Sequence, residues 1–190
     1  ALTHSHWDHT YGLEALCTRT GAVALATALT GRQLDAMATW KWTDEAVQAR
    51  LDRGEESAFC AEMMRKEYGA DLAGVRVRTP DILFDERLAV ALGGVTCEAV
   101  RVGGPHAEES VVCFVREERV AFLGDAAGKA LHPDPAPIYQ AKVRDLMERV
   151  RALDVALCVE GHWHHEPRAE TLRYLEAEAS GRSQEPEDNP

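Results

Sequence analysis

The sequence is short of positive charge. Lys and Arg total 21 against 32 Asp and Glu, which gives 190 residues a formal net charge of −11. A surface of that sign repels a phosphate backbone instead of releasing its counterions, so nucleic acid is not an expected partner. Long apolar runs are lacking too. No stretch reaches the ~20 residues a helix needs to cross a bilayer. The start, Ala1-Leu2-Thr3-His4, has neither the basic residues nor the apolar core of a signal peptide, so no membrane insertion is expected. Cys-x-x-Cys pairs are absent. The five cysteines (Cys17, Cys60, Cys97, Cys113, Cys158) are scattered and odd in number, which suits reduced thiols and a cytoplasmic location better than a disulfide framework. No internal repeat is visible. What is present, 45% apolar and 28% charged residues, describes a globular chain with one core.

Hydrophobic periodicity alternates between strand and helix. Leu2 and Thr3 read as a strand end, Tyr11 to Arg19 as a short helix, and Ala22 to Ala26 as a strand of small residues. From Gly31 to Gly69 apolar residues recur at helical intervals, which predicts a helical insert of two helices broken near Gly54. From Val75 the period becomes two. Val75 with Val77, Ile82 to Phe84, Leu88 to Leu92, Val95 to Val102, Val111 to Val115 and Val120 to Leu123 read as short strands, with a hairpin turn at Arg116 to Arg119. Tyr139, Val143, Leu146, Met147, Val150 and Leu153 mark one face of an amphipathic helix. A strand at Val155 to Val159, a helix at Arg168 to Ala179 and a disordered acidic tail over 180–190 complete the reading.

Chemistry is concentrated at the start, where Thr3-His4-Ser5-His6-Trp7-Asp8-His9 packs three of eight histidines and a carboxylate into six residues. Neutral imidazoles and carboxylates are good ligands for a borderline divalent ion, and in a strand-to-helix turn their alternation suits two adjacent metals. A surface His cluster or tag remnant would not be interrupted by Trp7 and Asp8 and followed by Thr10-Tyr11-Gly12.

His4-x-His6-x-Asp8-His9 resembles the signature motif of the metallo-β-lactamase-fold hydrolases, and the chain carries motifs similar to the family's later ones in order. These are Gly104-Pro105-His106-Ala107-Glu108-Glu109-Ser110, Phe122-Leu123-Gly124-Asp125 and Glu160-Gly161-His162. The resemblance spans nearly all of residues 1–179. It implies an α/β (α+β) fold, the four-layer αββα sandwich of that family, over 1–179 with 31–69 as an insert. It implies that His4, His6 and His106 hold a first metal, Asp8, His9 and His162 a second, and Asp125 both. The ions would be zinc, with iron or manganese as alternatives. Two such ions 3.5–4 Å apart share a water and lower its pKa, so the expected activity is cleavage of a small-molecule ester, thioester, lactone or amide by hydroxide that Asp8 and Asp125 orient.

Departures narrow the family. Asp125 stands where one class of zinc β-lactamases has cysteine, and His6 where diiron oxygen reductases have glutamate, which moves the resemblance toward glyoxalase-type, lactonase-type and general ester or thioester hydrolases. Two rivals stay open: a mononuclear iron enzyme of the same fold that oxidises sulfur, and a noncatalytic metal-binding fragment. The family's first sheet contributes strands before His-x-His, and only three residues precede the motif here. The expected domain is therefore N-terminally truncated, with the sheet completed by a missing upstream segment or by homo-oligomerisation.

The remaining candidates have plainer readings. His132, His164 and His165 read as exposed or supporting residues, and His132 or Lys129 could meet an anionic substrate group. Trp40, Trp42, Phe59, Met63 and Met64 fit either a lid or ordinary helix packing. Ser110 has no base beside it in sequence and is assigned to loop hydrogen bonding.

Overall fold

The computed structural model describes residues 1–69, 72–130 and 134–182, which fall into two compact units. One comprises Leu2 and His4 to Leu83, and the other comprises Ala1, Thr3 and the chain from Phe84 onward.

The first unit is mainly helical. Its elements are α1 (Trp7–Thr10), α2 (Leu13–Thr20), β1 (Leu25–Thr27), α3 (Ala28–Ala38), α4 (Asp44–Asp52) and α5 (Ala58–Tyr68). Hydroxyl caps start the three long helices: the side chains of Thr27, Thr43 and Ser57 accept from the amides of Thr30, Ala46 and Cys60. Where the periodicity predicts two helices broken near Gly54, the chain forms three. Gly54 does sit at a break, with φ +69°, but a second break falls at Thr39–Thr43, where Thr43 leaves helical geometry to cap α4. Two apolar clusters hold the unit. One gathers Tyr11, Val47, Cys60, Ala61, Met64, Leu72 and Val75, and the other Leu2, Leu13, Cys17, Ala24, Ala26 and Leu34. Strand β1 pairs with β2 (Ile82–Phe84) in a two-stranded sheet, helped by Asp81, whose carboxylate accepts from the Ala24 amide at 2.7 Å. Val75 and Val77 form no strand. Their alternation reflects packing into the clusters, not a ladder.

The second unit is built on a six-stranded sheet in the order β3 (Arg87–Ala91), β4 (Thr96–Arg101), β5 (Val111–Val115), β6 (Val120–Gly124), β7 (Leu157–Glu160) and β8 (Glu166–Pro167). All neighbours are antiparallel except β6 and β7, which run parallel because α6 (Ala136–Ala152) crosses between them. The hairpin turn at Arg116–Arg119 closes with Arg119 at φ 55°. Val112, Phe114, Ala121 and Leu123 line the sheet face that packs on Val143, Leu146 and Val150 of α6 and Leu175 of α7 (Arg168–Ala179). At roughly 25 cal/mol per Å² of apolar surface buried, this cluster is the main source of the unit's rigidity. That rigidity matters because the C-terminal ends of β6 and β7 are joined by the Gly161 amide donating to the Gly124 carbonyl at 2.9 Å.

All five cysteines are unlinked, with Cys17, Cys60 and Cys158 buried and Cys97 and Cys113 half-buried. None of the described helices is long and apolar enough to cross a membrane. Of the expected tail, residues 183–190 lie outside the described residues.

Candidate metal centre

Each unit carries one group of the expected ligands. In the first, His4 and Ser5 are buried, His6 is the N-cap of α1 with φ −60° and ψ 150°, and the chain then makes one helical turn. Thr10 fixes that turn: its Oγ1 donates to the carbonyl of His6 at 2.9 Å and lies 3.3 Å from that of Ser5. The consequence is convergence of three imidazoles. The His4 ring centroid lies 4.5 Å from that of His6 and 4.2 Å from that of His9, and an Asp8 carboxylate oxygen lies 3.6 Å from His9 Nε2. Three rings this close, one of them only 1% exposed, form a donor-rich pocket wall that suits a cation.

In the second unit three strand ends supply the donors. Gly103 (φ +60°) and Gly104 (φ +129°) bend the chain after β4. A Cβ at Gly104 would come within 3.0 Å of the Ala126 carbonyl, so only glycine lets this loop lie so close to the one that carries Asp125. His106 follows. Its Nδ1 lies 3.0 Å from the Lys129 carbonyl, which can only accept, so Nδ1 carries the proton and Nε2 presents its lone pair. That Nε2 is 3.6 Å from Asp125 Oδ2, and His162 Nε2, just past β7, is 3.3 Å from the same oxygen. One carboxylate therefore faces two imidazole nitrogens. The donor set fits a divalent ion: neutral imidazole with its far nitrogen tied to a carbonyl, beside a carboxylate, is the arrangement that holds a ligand's tautomer and aim.

Around these three residues is an open cleft of ≈ 230 Å³ that also involves Lys129, Glu160 and Trp163. Burial raises the carboxyl pKa of Glu160 above its ordinary value, and the charges of Glu166 and Asp125 push it the same way. Trp163 is 75% exposed at the cleft's edge. Among the described residues, the candidate metal-binding groups are drawn from His4, His6, Asp8, His9, His106, Asp125 and His162 alone.

Several secondary expectations change. Ser110 is buried and its backbone carbonyl accepts from Val102 and Gly103, but its hydroxyl makes no hydrogen bond, so the loop bonding assigned to it is done by its main chain. Lys129 contributes its carbonyl to His106, while its ammonium lies 3.9 Å from Glu178. His164 and His165 are exposed. His132 lies outside the described residues. In the helical region Met64 and Trp42 join the apolar cluster, whereas Phe59 is 61% exposed. The sequence reading assigns no role to the Thr10 hydroxyl, the Glu160 carboxyl or the Lys129 carbonyl. For Thr10 a signal existed, since a hydroxyl four residues after His6 can reach back to its carbonyl within one turn.

Comparison with known proteins bears on the fold. The family model of the metallo-beta-lactamase superfamily matches residues 1–162. No curated protein matches the chain. Among solved structures, a metallo-beta-lactamase from Pontibacter korlensis is similar over 94% of this chain and 67% of its own, at 18% identity and TM-score 0.56. A metallo-beta-lactamase family protein from Thermus thermophilus is similar over 94% of this chain and 58% of its own, at 19% identity and TM-score 0.60. TMB-1, at 16% identity, covers 96% of this chain and 67% of its own with TM-score 0.55. At such identities the likeness establishes the fold, a mixed α/β metallo-beta-lactamase fold as the motif order implies.

Proposed function

Because the chain belongs to the metallo-beta-lactamase superfamily, we propose that it is a metal-dependent hydrolase that takes two metal ions, zinc first among the candidates, with His4, His6, Asp8, His9, His106, Asp125 and His162 as the ligands. The observation that carries this reading is the Asp125 carboxylate, with one oxygen 3.6 Å and 3.3 Å from the Nε2 atoms of His106 and His162. When bound, divalent ions act as Lewis acids and bring the pKa of water toward neutrality. The protein's own groups do the rest. The Lys129 carbonyl keeps the proton of His106 on Nδ1 and so keeps Nε2 available. Asp8 and Asp125 offer carboxylate oxygens that accept a proton from an attacking water and fix its direction, which lowers the entropic part of the barrier. No serine or cysteine nucleophile enters, consistent with Ser110, whose hydroxyl has no base beside it. The substrate class we propose is a small ester, thioester, lactone or amide.

The test is elemental analysis after dialysis, joined to a panel of esters, thioesters, lactones and β-lactams. Close to two ions per chain and turnover of at least one class are expected. Asp125→Ala should abolish that turnover with the circular dichroism spectrum unchanged, while Ser110→Ala keeps most of it. One ion only, unaffected by His162→Ala, would replace this reading with a mononuclear centre, and two ions without turnover would make the chain a noncatalytic metal binder.

A further inference from the structure

Away from the histidine and aspartate groups, the first unit holds four buried donors without a hydrogen-bond partner among the described residues, and three of them belong to Arg50 and Trp42. Arg50, on α4, is only 5% exposed. Its Nη1 donates to the Lys41 carbonyl at 3.3 Å, but Nε and Nη2 have no hydrogen-bond partner, and neither does Nε1 of Trp42. Nε and Nη2 are the two nitrogens of one edge of the guanidinium plane, so a complete side-on fork is left open. Two aromatic rings flank it: the guanidinium carbon is 4.8 Å from the ring centroid of Trp40 and 4.7 Å from that of Trp42, and the two centroids are 5.8 Å apart, so both rings lie toward one side of it. Tyr11 packs against Trp42 in an edge-to-face contact, with ring centroids 5.0 Å apart. Glu56 feels the guanidinium charge, yet its carboxylate accepts from the Ser57 amide at 3.2 Å and does not pair with Arg50.

Native proteins seldom leave a buried charged group so poorly satisfied, since each dry donor forfeits its hydration without return. Cation–π contact offsets part of the charge but satisfies no N–H on the open edge. We propose that Arg50 and Trp42 form a binding site for an organic carboxylate. The geometry selects that class. Two parallel N–H groups on one edge match the two oxygens of a planar carboxylate, which a spherical halide cannot do. The indole N–H of Trp42, whose ring centroid is 4.7 Å from the guanidinium carbon, is a further unsatisfied donor beside that edge. The walls are the rings of Trp40 and Trp42 with Leu51 nearby in the same apolar cluster, which would leave the outer oxygens of a phosphate against carbon but suit an alkyl or aryl tail. Trp40 and Trp42 are partly exposed, so the edge lies close beneath the surface. The site stands independently of the metal centre and of the hydrolase reading.

The test uses the full chain, titrated by calorimetry with sodium hexanoate, hexanamide, sodium chloride and inorganic phosphate at constant ionic strength, while the indole N–H resonances are followed by NMR. Hexanoate should saturate and shift the Trp42 resonance, and hexanamide, chloride and phosphate should not. Trp42→Phe keeps the ring and removes one donor, so its Kd should rise about fivefold. Arg50→Lys keeps the charge and removes the edge, and its Kd should rise about tenfold or more. Failure of Arg50→Lys to fold would leave the decision to Trp42→Phe and the hexanamide control. No saturable hexanoate binding, an equal response to hexanamide, chloride or phosphate, or hexanoate binding unchanged in Trp42→Phe would overturn the proposal.

Discussion

Gly124→Ala is the sharpest test of how strand geometry sets up Asp125. Gly124 ends β6 at φ +54°, and a Cβ there would lie 2.7 Å from Thr3 Cβ, 2.8 Å from its Cγ2 and 2.9 Å from its Oγ1. Two costs follow. A left-handed conformation on a residue with a side chain costs about 1–2 kcal/mol, and the overlap adds about 1–3 kcal/mol. Thr3 cannot simply retreat, because its carbonyl accepts from the Val111 amide at 2.8 Å and the overlap involves Cβ itself, which no rotamer change moves. The expected loss is therefore about 2–5 kcal/mol, read from urea unfolding followed by circular dichroism.

A second substitution separates the two costs. Thr3→Gly removes every atom of the overlap, so Thr3→Gly/Gly124→Ala should recover the steric part and leave the conformational 1–2 kcal/mol or so. Thr3→Ala keeps Cβ and should recover little. A Gly124→Ala protein as stable as the parent, or a coupling with Thr3→Gly below about 0.5 kcal/mol, would show that the chain relaxes freely here and that this reasoning is wrong.

The remaining predictions probe other parts of the molecule. Tyr139→Phe removes a 2.7 Å hydrogen bond to the buried Glu178 and should cost about 1–3 kcal/mol in the same unfolding assay. Burial pushes the Cys113 thiol up to about 11. The folded state thus keeps a proton that the unfolded chain gives up near its ordinary value of 9.0, so stability should fall as pH rises from 9 to 11, on the order of 2 kcal/mol, and Cys113→Ala should flatten that decline. Thr10→Val deletes the hydroxyl that holds the carbonyl of His6 and should weaken zinc retention about tenfold against a chelator, with helical content unchanged.

The legible parts of this fold share a property: their signal is local. The spacing of Tyr139, Val143, Leu146 and Val150 is the buried stripe of α6, and the run from Val111 to Val115 is β5. The candidate ligand motifs stand out in the sequence because imidazoles and carboxylates are rare enough at that density to need a cause. Other features depend on partners remote in sequence. Val75 and Val77 alternate as a strand does, but no neighbouring chain offers a ladder, so packing alone explains them. The break before α4 turns on whether Thr43 caps a helix or continues one, a choice that periodicity across Trp40 and Trp42 leaves open. Orientation of His106 by a main-chain carbonyl could not be read at all, since every residue carries that group.

The two candidate ligand groups also differ in what holds them, and the difference bears on which fails first. His6, Asp8 and His9 stand on one short helical turn, α1, where the Thr10 hydroxyl donates to the His6 carbonyl. Asp125 and His162 sit at the ends of adjacent parallel strands joined by the Gly161 to Gly124 hydrogen bond and backed by a core that includes Ala121, Leu123 and Cys158. Local opening costs least where few buried contacts must break, so the histidine-rich turn is the group whose order depends most on a bound ion, while the carboxylate is held by the fold itself. Hydrogen exchange separates the two cases. Metal should slow the amides of His9 and Tyr11 by a larger factor than those of Leu123 and Val159, and equal protection at both places would mean that the strand ends, too, are ordered only by the metal.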